Sequence, residues 1–388
     1  MNRRKRILIL GSTGSIGIQA LEIILANPEY FKIVGLAASG NNSKIFLAQR
    51  EVTGITNTAI TQPMAAKKIG DVKFTGPNAC SRLIENTEAD LILNALVGAF
   101  GLEPTLVALA TGAQLALANK ESLITGGSLV TNYAKPGQII PVDSEHSAIA
   151  QCLLHSGPIK EVSKIVLTAS GGPFLKYSSN KLALVTPMQA MRHPTWFMGV
   201  MNTINSATLV NKGLELIETH LLFKTDSDKI EVLIHPQSVV HSIINFTDNS
   251  SIAQMYLPDM KLPISLALGA PNRISSSNNE FPSFNQAHNL EFMPVNNSLF
   301  PAVEIARYAL YKGGCIPAIY NKVNEIAVKA FLSEQISFTS IVKIINDVLN
   351  FADQWNLEPT ELSNILDAQK WAENLTKIIL KKHTYRIC

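Results

Sequence analysis

Charge is scarce in this chain. Only 16% of its 388 residues are charged, and 33 Lys and Arg nearly balance 30 Asp and Glu, for a net charge of +3. So small an excess excludes the electrostatic footprint of a nucleic-acid binder, and no basic stripe interleaved with aromatics appears. Cysteine is scarce too. The four cysteines, Cys80, Cys152, Cys315 and Cys388, are scattered without a Cys-x-x-Cys, which excludes a disulfide framework or zinc knuckle and suits a reducing compartment. Long unbroken apolar runs are also missing. After Arg3–Arg6 the apolar stretch Ile7–Leu10 stops at glycines, too short for the core of a signal peptide. Glu103-Pro104 interrupts the tract Leu91–Ala118, and Gly98, Gly101 and Gly112 punctuate it, so it reads as strand, loop and helix rather than a membrane span. The expectation is a cytoplasmic protein with no membrane and no nucleic-acid partner.

What is present is a large apolar content. Hydrophobic residues make up 46% of the chain, enough for well-buried cores and against disorder, and the length predicts two or three domains. Strand patterns at residues 6–10, 31–37, 58–60, 91–96, 114–118 and 139–142 alternate with helical ones, which predicts a doubly wound parallel sheet. Beyond it, 164–169, 230–234, 239–246 and 251–256 read as strands of a sheet that need not be all parallel. Residues 271–298 are rich in Pro, Ser and Asn, and after Pro301 only amphipathic helices remain. The expected α/β architecture is an N-terminal doubly wound domain over 1–143, a central α+β domain over 144–270, a linker over 271–298 and a helical bundle over 299–388.

Between the first strand and the first helix stands Gly11-Ser-Thr-Gly14-Ser-Ile-Gly17. Glycines in that context let the backbone approach a pyrophosphate at a helix N-terminus, the Rossmann-like arrangement, whereas the bland reading is a tight turn without a ligand. The second strand ends in Ala38-Ser-Gly-Asn-Asn42 with no acid to hold ribose hydroxyls. With Asn41, Asn42 and Lys44 near, NADP is favoured over NAD. Asn119-Lys-Glu-Ser122 follows another strand. Lys120 can reach a substrate or nicotinamide there, or the segment is an ordinary helix start capped by Asn119.

Asp143-Ser-Glu145 reads as two carboxylates on one side of an extended segment. Such a pair is usually solvated surface, but Glu215 makes a third, and like charges ~4 Å apart repel by ~4 kcal/mol at an effective dielectric near 20. An all-oxygen set suits Mg²⁺ or Mn²⁺ rather than zinc. Ser170-Gly-Gly-Pro173 at a strand end is an anion nest or a loop. His193 lies between Arg192 and Pro194 with Trp196 near, an unusual setting for a core histidine, while His235 and His241 remain open between core and site. Residues 205–218 read as a helix with Ser206 at its N-cap. Leu209, Val210, Leu214 and Ile217 form its apolar face, and Asn211, Lys212 and Glu215 share one side. Such a helix can grip a phosphate at one end and a metal in its middle.

These motifs, in this order from residue 6 to about 335, resemble the 1-deoxy-D-xylulose 5-phosphate reductoisomerase family: the glycine run, Ala118–Leu123, Pro141–Ile149, Thr168–Phe174, the 193–218 block and Leu233–Ser238. The resemblance implies a homodimeric, NADPH- and metal-dependent enzyme. It rearranges 1-deoxy-D-xylulose 5-phosphate and reduces the product to 2-C-methyl-D-erythritol 4-phosphate in isoprenoid synthesis. Carried over, Asp143, Glu145 and Glu215 hold Mn²⁺ or Mg²⁺. Ser170, His193, Ser206, Asn211 and Lys212 surround the phosphate, and Lys120 and Ser144 face the substrate's other polar end. Lys120, Ser144, Glu145 and His193 are the catalytic candidates, and Trp196 and Met198 belong to a lid. Thr13, Gly14, Ser15, Ile16, Asn41, Asn119, Glu121 and Gly199 contact the cofactor.

The chain departs from the family pattern at Thr195, Phe197, Val200 and Asn205, and at Ser39 in the 2′-phosphate loop. Two rivals remain. Another NADP-dependent oxidoreductase of a phosphorylated or acyl-phosphate substrate, such as a cysteine-dependent semialdehyde dehydrogenase, needs an activated thiol, and Cys152 and Cys315 have no obvious base beside them. An NADP-sensing regulator has no use for Asp143, Glu145 and Glu215 together.

Overall fold

The computed structural model describes residues 3–154, 159–196, 199–274 and 287–384. The chain divides into two compact units, the first comprising Met1–Ser122, Asn132–Ser147 and Asp259–Asn278, the second Leu123–Thr131, Ala148–Pro258 and Asn279–Cys388.

The first unit is built on seven parallel strands: β1 (Lys5–Leu10), β2 (Phe31–Ala38), β3 (Thr58–Ile60), β4 (Phe74–Thr75), β5 (Leu91–Asn94), β6 (Gln114–Leu117) and β7 (Ile139–Pro141). Their order is β4-β3-β2-β1-β5-β6-β7, the doubly wound α/β arrangement that the alternating pattern predicts. Helices cover both faces of such a sheet, so its strands are apolar throughout, as Ile7–Leu10, Leu91–Leu93 and Leu115–Leu117 are, all buried. The order reverses between β1 and β5, which opens a crevice at the carboxyl ends of those strands. The helix Ser15–Ala26 buries Leu21, Ile23 and Ile24 against this sheet. Lys261–Gly269, far along the chain, joins the same core through Ile264, Ala267 and Leu268. Lys5 fastens its end, Nζ donating to the carbonyls of Leu268 at 3.0 Å and Ala270 at 2.8 Å.

The second unit holds a mixed five-stranded sheet, β11-β10-β8-β9-β12. It comprises β8 (Val162–Ala169), β9 (Ile230–Ile234), β10 (Val240–Phe246), β11 (Ser251–Met255) and β12 (Met293–Pro294). Among the described residues β8 and β9 run parallel, and the other neighbours in this sheet antiparallel. The short β12, inside the stretch expected as linker, pairs Met293 with Ile234. Helices Ala302–Lys312, Ile316–Leu332, Phe338–Leu349 and Leu362–Thr384 pack on one another as the C-terminal helical group. Helix Val210–Phe223 lies against Ala302–Lys312. Gly213 permits the approach: a Cβ there would stand 2.7 Å from Tyr320 Oη and 2.8 Å from Ala306 Cβ.

Two local expectations are corrected. Residues 205–218 are two helices, Val200–Ala207 and Val210–Phe223, broken at Leu209, whose φ of +59° leaves the helical region. Ser206 therefore sits in the last turn of the first helix and is no N-cap. Asp143-Ser-Glu145 is not extended either. The Asp143 carboxylate accepts from Ser144 N–H at 2.9 Å and its carbonyl from Ser147 N–H at 2.8 Å, so a helix, Ser144–Leu153, begins there. Among the described residues no helix is long and apolar enough to cross a membrane.

Candidate active site

In the first unit the glycine loop closes tightly on its neighbours. Gly11 has φ +82°, and a Cβ on it would lie 2.4 Å from the Ala95 carbonyl oxygen; one on Gly17 would lie 2.3 Å from the Gly11 oxygen. Gly14 and Ser15 are exposed, and no side chain caps the helix that starts at Ser15. The first N–H groups of a helix have no intrahelical acceptor, and here Thr13 is buried and Ile16 half-buried beside them. Gln49 belongs to no motif visible in the sequence; its Nε2 donates to the Ser12 carbonyl at 2.7 Å and ties the helix Ser43–Thr53 to the loop. After β2 the segment turns at Gly40, φ +99°, leaving Asn41, Asn42 and Lys44 exposed. Asn41 Oδ1 accepts from Gln62 at 2.9 Å.

Asn119 follows β6 and is fully buried. Its Nδ2 donates to the carbonyls of Leu96 (2.6 Å) and Gly98 (2.9 Å), and its Oδ1 accepts from Ser122 N–H (2.6 Å) and Ser122 Oγ. The amide is the helix cap of the plainer reading, and its hydrogen-bonding capacity is filled. Asn119 can therefore meet a cofactor only through its main chain. Gly101 must be glycine for the same reason: a Cβ would stand 2.5 Å from Ser122 Oγ and 2.8 Å from Asn119 Nδ2.

Strand register gathers the remaining groups. β1, β5, β6 and β7 are consecutive neighbours, so the glycine loop, Asn119-Lys120 and Asp143–Glu145 stand along one carboxyl edge. Lys120, 8% exposed, pairs through Nζ with Asp143 Oδ2. His146 Nδ1 lies 3.8 Å from the same oxygen, and Ser144 Oγ donates to Glu145 Oε2. Glu121, half-buried, lies in the first turn of the helix that begins at Lys120.

The second unit assembles the phosphate candidates. Gly171 (φ +82°) and Gly172 (φ +66°) turn the chain after β8, and Gly172 N–H donates to Ser170 Oγ at 3.2 Å. His193 Nε2 lies 3.2 Å from Ser170 Oγ and 2.9 Å from Ser206 Oγ. Its Nδ1 accepts from the N–H groups of Thr195 (3.2 Å) and Trp196 (2.8 Å), which puts the proton on Nε2. Burial lowers its pKa to about 4. On Val210–Phe223, Asn211 Nδ2 and Lys212 Nζ both reach the Glu215 carboxylate, and Lys212 and Glu215 are 3% and 1% exposed. Spacings of three and four residues thus join the three groups as expected. Gly199 precedes Val200–Ala207, exposed. Trp196 is half-buried with its ring edge-on to His241 at 6.0 Å. Phe197 and Met198 lie outside the described residues.

The two open histidines belong to the core. His235 is fully buried, with Nδ1 at 2.9 Å from the Glu291 carbonyl and Nε2 accepting from Val239 and Val240 N–H. His241 is buried and stacked on Tyr256 at 3.7 Å. The cysteine-dependent rival fails on chemistry. Burial pushes the Cys152 thiol up to about 11 and Cys80 to about 12, and Cys315 is raised too, so none is an activated nucleophile.

A glycine loop at the switch point of a doubly wound sheet, beside a lysine and carboxylates on the same edge, defines a dinucleotide-dependent oxidoreductase. The chain belongs to the 1-deoxy-D-xylulose 5-phosphate reductoisomerase family. Residues 7–127 match the family itself, 139–223 its C-terminal domain, and 255–375 a further DXP reductoisomerase C-terminal domain. It is 58% identical to the 1-deoxy-D-xylulose 5-phosphate reductoisomerase of Mycolicibacterium smegmatis, covering 99% of this chain and 96% of that one. To that of Mycobacterium marinum it is also 58% identical, over 98% and 94%. Among solved structures, the Zymomonas mobilis reductoisomerase in complex with NADPH superposes with a TM-score of 0.89 at 34% identity, over 97% of this chain and 99% of that one. A DOX-P reductoisomerase in complex with NADPH, fosmidomycin and magnesium gives 0.89 at 34%, over 97% and 98%.

Proposed function

We propose that this chain isomerises 1-deoxy-D-xylulose 5-phosphate and reduces the product with NADPH to 2-C-methyl-D-erythritol 4-phosphate, using a divalent cation. The observation that carries the reading is the carboxyl edge of the first sheet. Consecutive strands there present a pyrophosphate-binding loop, a buried lysine and two carboxylates, in a chain related over its whole length to reductoisomerases.

Asp143, Glu145 and Glu215 would hold the cation. The donor set fits, being all hard oxygen, as Mg²⁺ and Mn²⁺ prefer. Once bound, the ion supplies Lewis-acid stabilisation of the negative charge that develops on the substrate's ketone oxygen. Lys120 offsets the Asp143 charge, and with Ser144 it orients the substrate's polar end. Ser170, His193, Ser206, Asn211 and Lys212 take the phosphate. With Nδ1 occupied by two N–H groups, His193 offers Nε2–H as a neutral donor to a phosphate oxygen. Holding the remote phosphate fixes the reacting carbons relative to the cofactor. Thr13 to Ile16, Asn41, main-chain Asn119, Glu121 and Gly199 form the NADPH contacts, and Trp196 with Met198 covers bound substrate.

The pathway served is isoprenoid synthesis, in the cytoplasm. The working form is a homodimer, for which β11, the outer strand of its sheet among the described residues, with Ile252 and Met255 exposed, offers an edge. The division into 1–143, 144–270, 271–298 and 299–388 describes the order of tasks along the chain. The test is NADPH oxidation with 1-deoxy-D-xylulose 5-phosphate, with and without Mn²⁺. Loss of NADPH signal only when both substrate and metal are present is expected, and none under that condition would overturn the proposal.

A further inference from the structure

Helix Val200–Ala207 sends two neighbouring side chains in different directions. Ser206 turns to His193, its Oγ 2.9 Å from Nε2. Asn205 turns inward, 2% exposed, and its Oδ1 accepts a 2.9 Å hydrogen bond from Nδ2 of Asn324 on the helix Ile316–Leu332. Asn324 is 1% exposed, and its own Oδ1 has no hydrogen-bond partner among the described residues. We infer that the Asn205–Asn324 pair positions the phosphate pocket: it sets the rotation of helix Val200–Ala207 and so the place of Ser206 Oγ against His193.

The helix needs such a fix. It is short and ends at Thr208 and the left-handed Leu209, where the helical backbone is broken. Gly172 limits it on one side, since a Cβ there would lie 3.1 Å from Ala207 Cα and 3.2 Å from the Ser206 carbonyl oxygen. That contact blocks approach but holds nothing in place. The apolar contacts of Ile204 and Ala207 are non-directional. A hydrogen bond weakens steeply off its axis, so the amide pair favours one rotation of the helix over its neighbours. As a source of stability the pair is inefficient. It leaves a buried acceptor unsatisfied, and two apolar side chains of the same shape would hold the helices together at least as well. The pair makes sense for what it does to the neighbouring hydroxyl, where a displacement of ~1 Å matters to binding and turnover.

The inference rests on the assignment of Ser170, His193 and Ser206 to the phosphate. The test replaces both amides by shape-matched apolar groups, Asn205→Leu with Asn324→Leu, beside Asn205→Asp, which keeps an acceptor for Asn324 Nδ2. In the double variant, KM for 1-deoxy-D-xylulose 5-phosphate and Kd for the phosphonate fosmidomycin should rise about tenfold or more. Kd for NADPH should stay unchanged and the unfolding temperature at or above the parent's. Asn205→Asp should stay within a few-fold of the parent, and Asn324→Ser should show the same split in milder form. Parental fosmidomycin binding in the double and Asn324→Ser variants would overturn the inference. So would a loss shared equally by NADPH and accompanied by lower stability, the mark of a purely structural role. A parent protein that neither binds fosmidomycin nor turns over substrate would instead remove the functional reading beneath it.

Discussion

Replacing Gly213 by alanine sets two effects of opposite sign against each other. In a helix interior without close neighbours, alanine is favoured over glycine by ~0.8–1 kcal/mol. Here the new Cβ would stand 2.7 Å from Tyr320 Oη, 2.8 Å from Ala306 Cβ and 3.1 Å from the Ala302 carbonyl oxygen. Tyr320 is fully buried, and its hydroxyl donates to that same carbonyl at 3.2 Å, so it cannot swing aside without losing its partner. Ala306 is a stub with no rotamer to change. Overpacking of this kind costs ~1–3 kcal/mol, and loss of the hydroxyl's bond adds ~1 kcal/mol. The steric effect therefore wins, for a net loss of ~1–3 kcal/mol. Urea unfolding of parent and variant measures it directly. Because Lys212 and Glu215 ride on this helix, kinetics should show a higher KM for the phosphorylated substrate as well. In a Tyr320→Phe background, which removes the closest atom, the alanine should be less destabilising by ~0.5 kcal/mol or more, the size of coupling that touching residues show. A Gly213→Ala protein with a raised urea midpoint would refute the reasoning, since that is the behaviour of an unhindered helical glycine.

Three further outcomes are expected. His193 titrates near 6.5 when unfolded and at about 4 in the native protein, so below about 6.5 the unfolded chain binds a proton that the native one refuses. Its contribution to stability is complete above that pH and drains away as pH falls towards 4; His193→Gln should flatten that part of the pH–stability curve, and an unaltered slope would count against the assignment. Chelation with EDTA should abolish turnover and Mn²⁺ or Mg²⁺ restore it, while Glu215→Gln should lower kcat by about a hundredfold or more and spare NADPH binding; full activity in metal-free buffer would end the metal assignment. NADPH should be preferred over NADH by at least about tenfold, ~1.4 kcal/mol, because residues 38–42 carry no acid, and Asn41→Asp should narrow the gap; equal kcat/KM for the two cofactors would show that this loop does not read the 2′-phosphate.

The first sheet was legible because a strand covered on both faces is apolar along its length, and Gly11, Pro104 and Gly112 mark where such runs stop. Local spacing was equally informative where the contacts are local, as with Asn211, Lys212 and Glu215 on successive turns. The break at Leu209 left no such mark, since a left-handed leucine carries none of the usual turn residues. Asp143 was misread for a related reason: period-two placement of two carboxylates and a capped helix start are the same three letters. Contacts closed across a hundred residues, such as Asn205 with Asn324 or Gly213 with Tyr320, leave no periodic trace at all. The histidines at 235 and 241 could be sorted only by what surrounds them.

The knot at Asn119 separates two kinds of adaptability. Its amide is bound to Leu96, Gly98 and Ser122, and Gly101 is held against it. A substitution at Asn119, Ser122 or Gly101 disturbs the other two, so the end of the crevice next to Lys120 is constrained as a block. Residues 41, 42 and 44 are exposed, and Gln62 is the neighbour bonded to the Asn41 side chain. A laboratory wishing to retune the chain for a cheaper cofactor would therefore concentrate its library on Ser39 to Lys44 and leave the strand ends after β5 and β6 untouched.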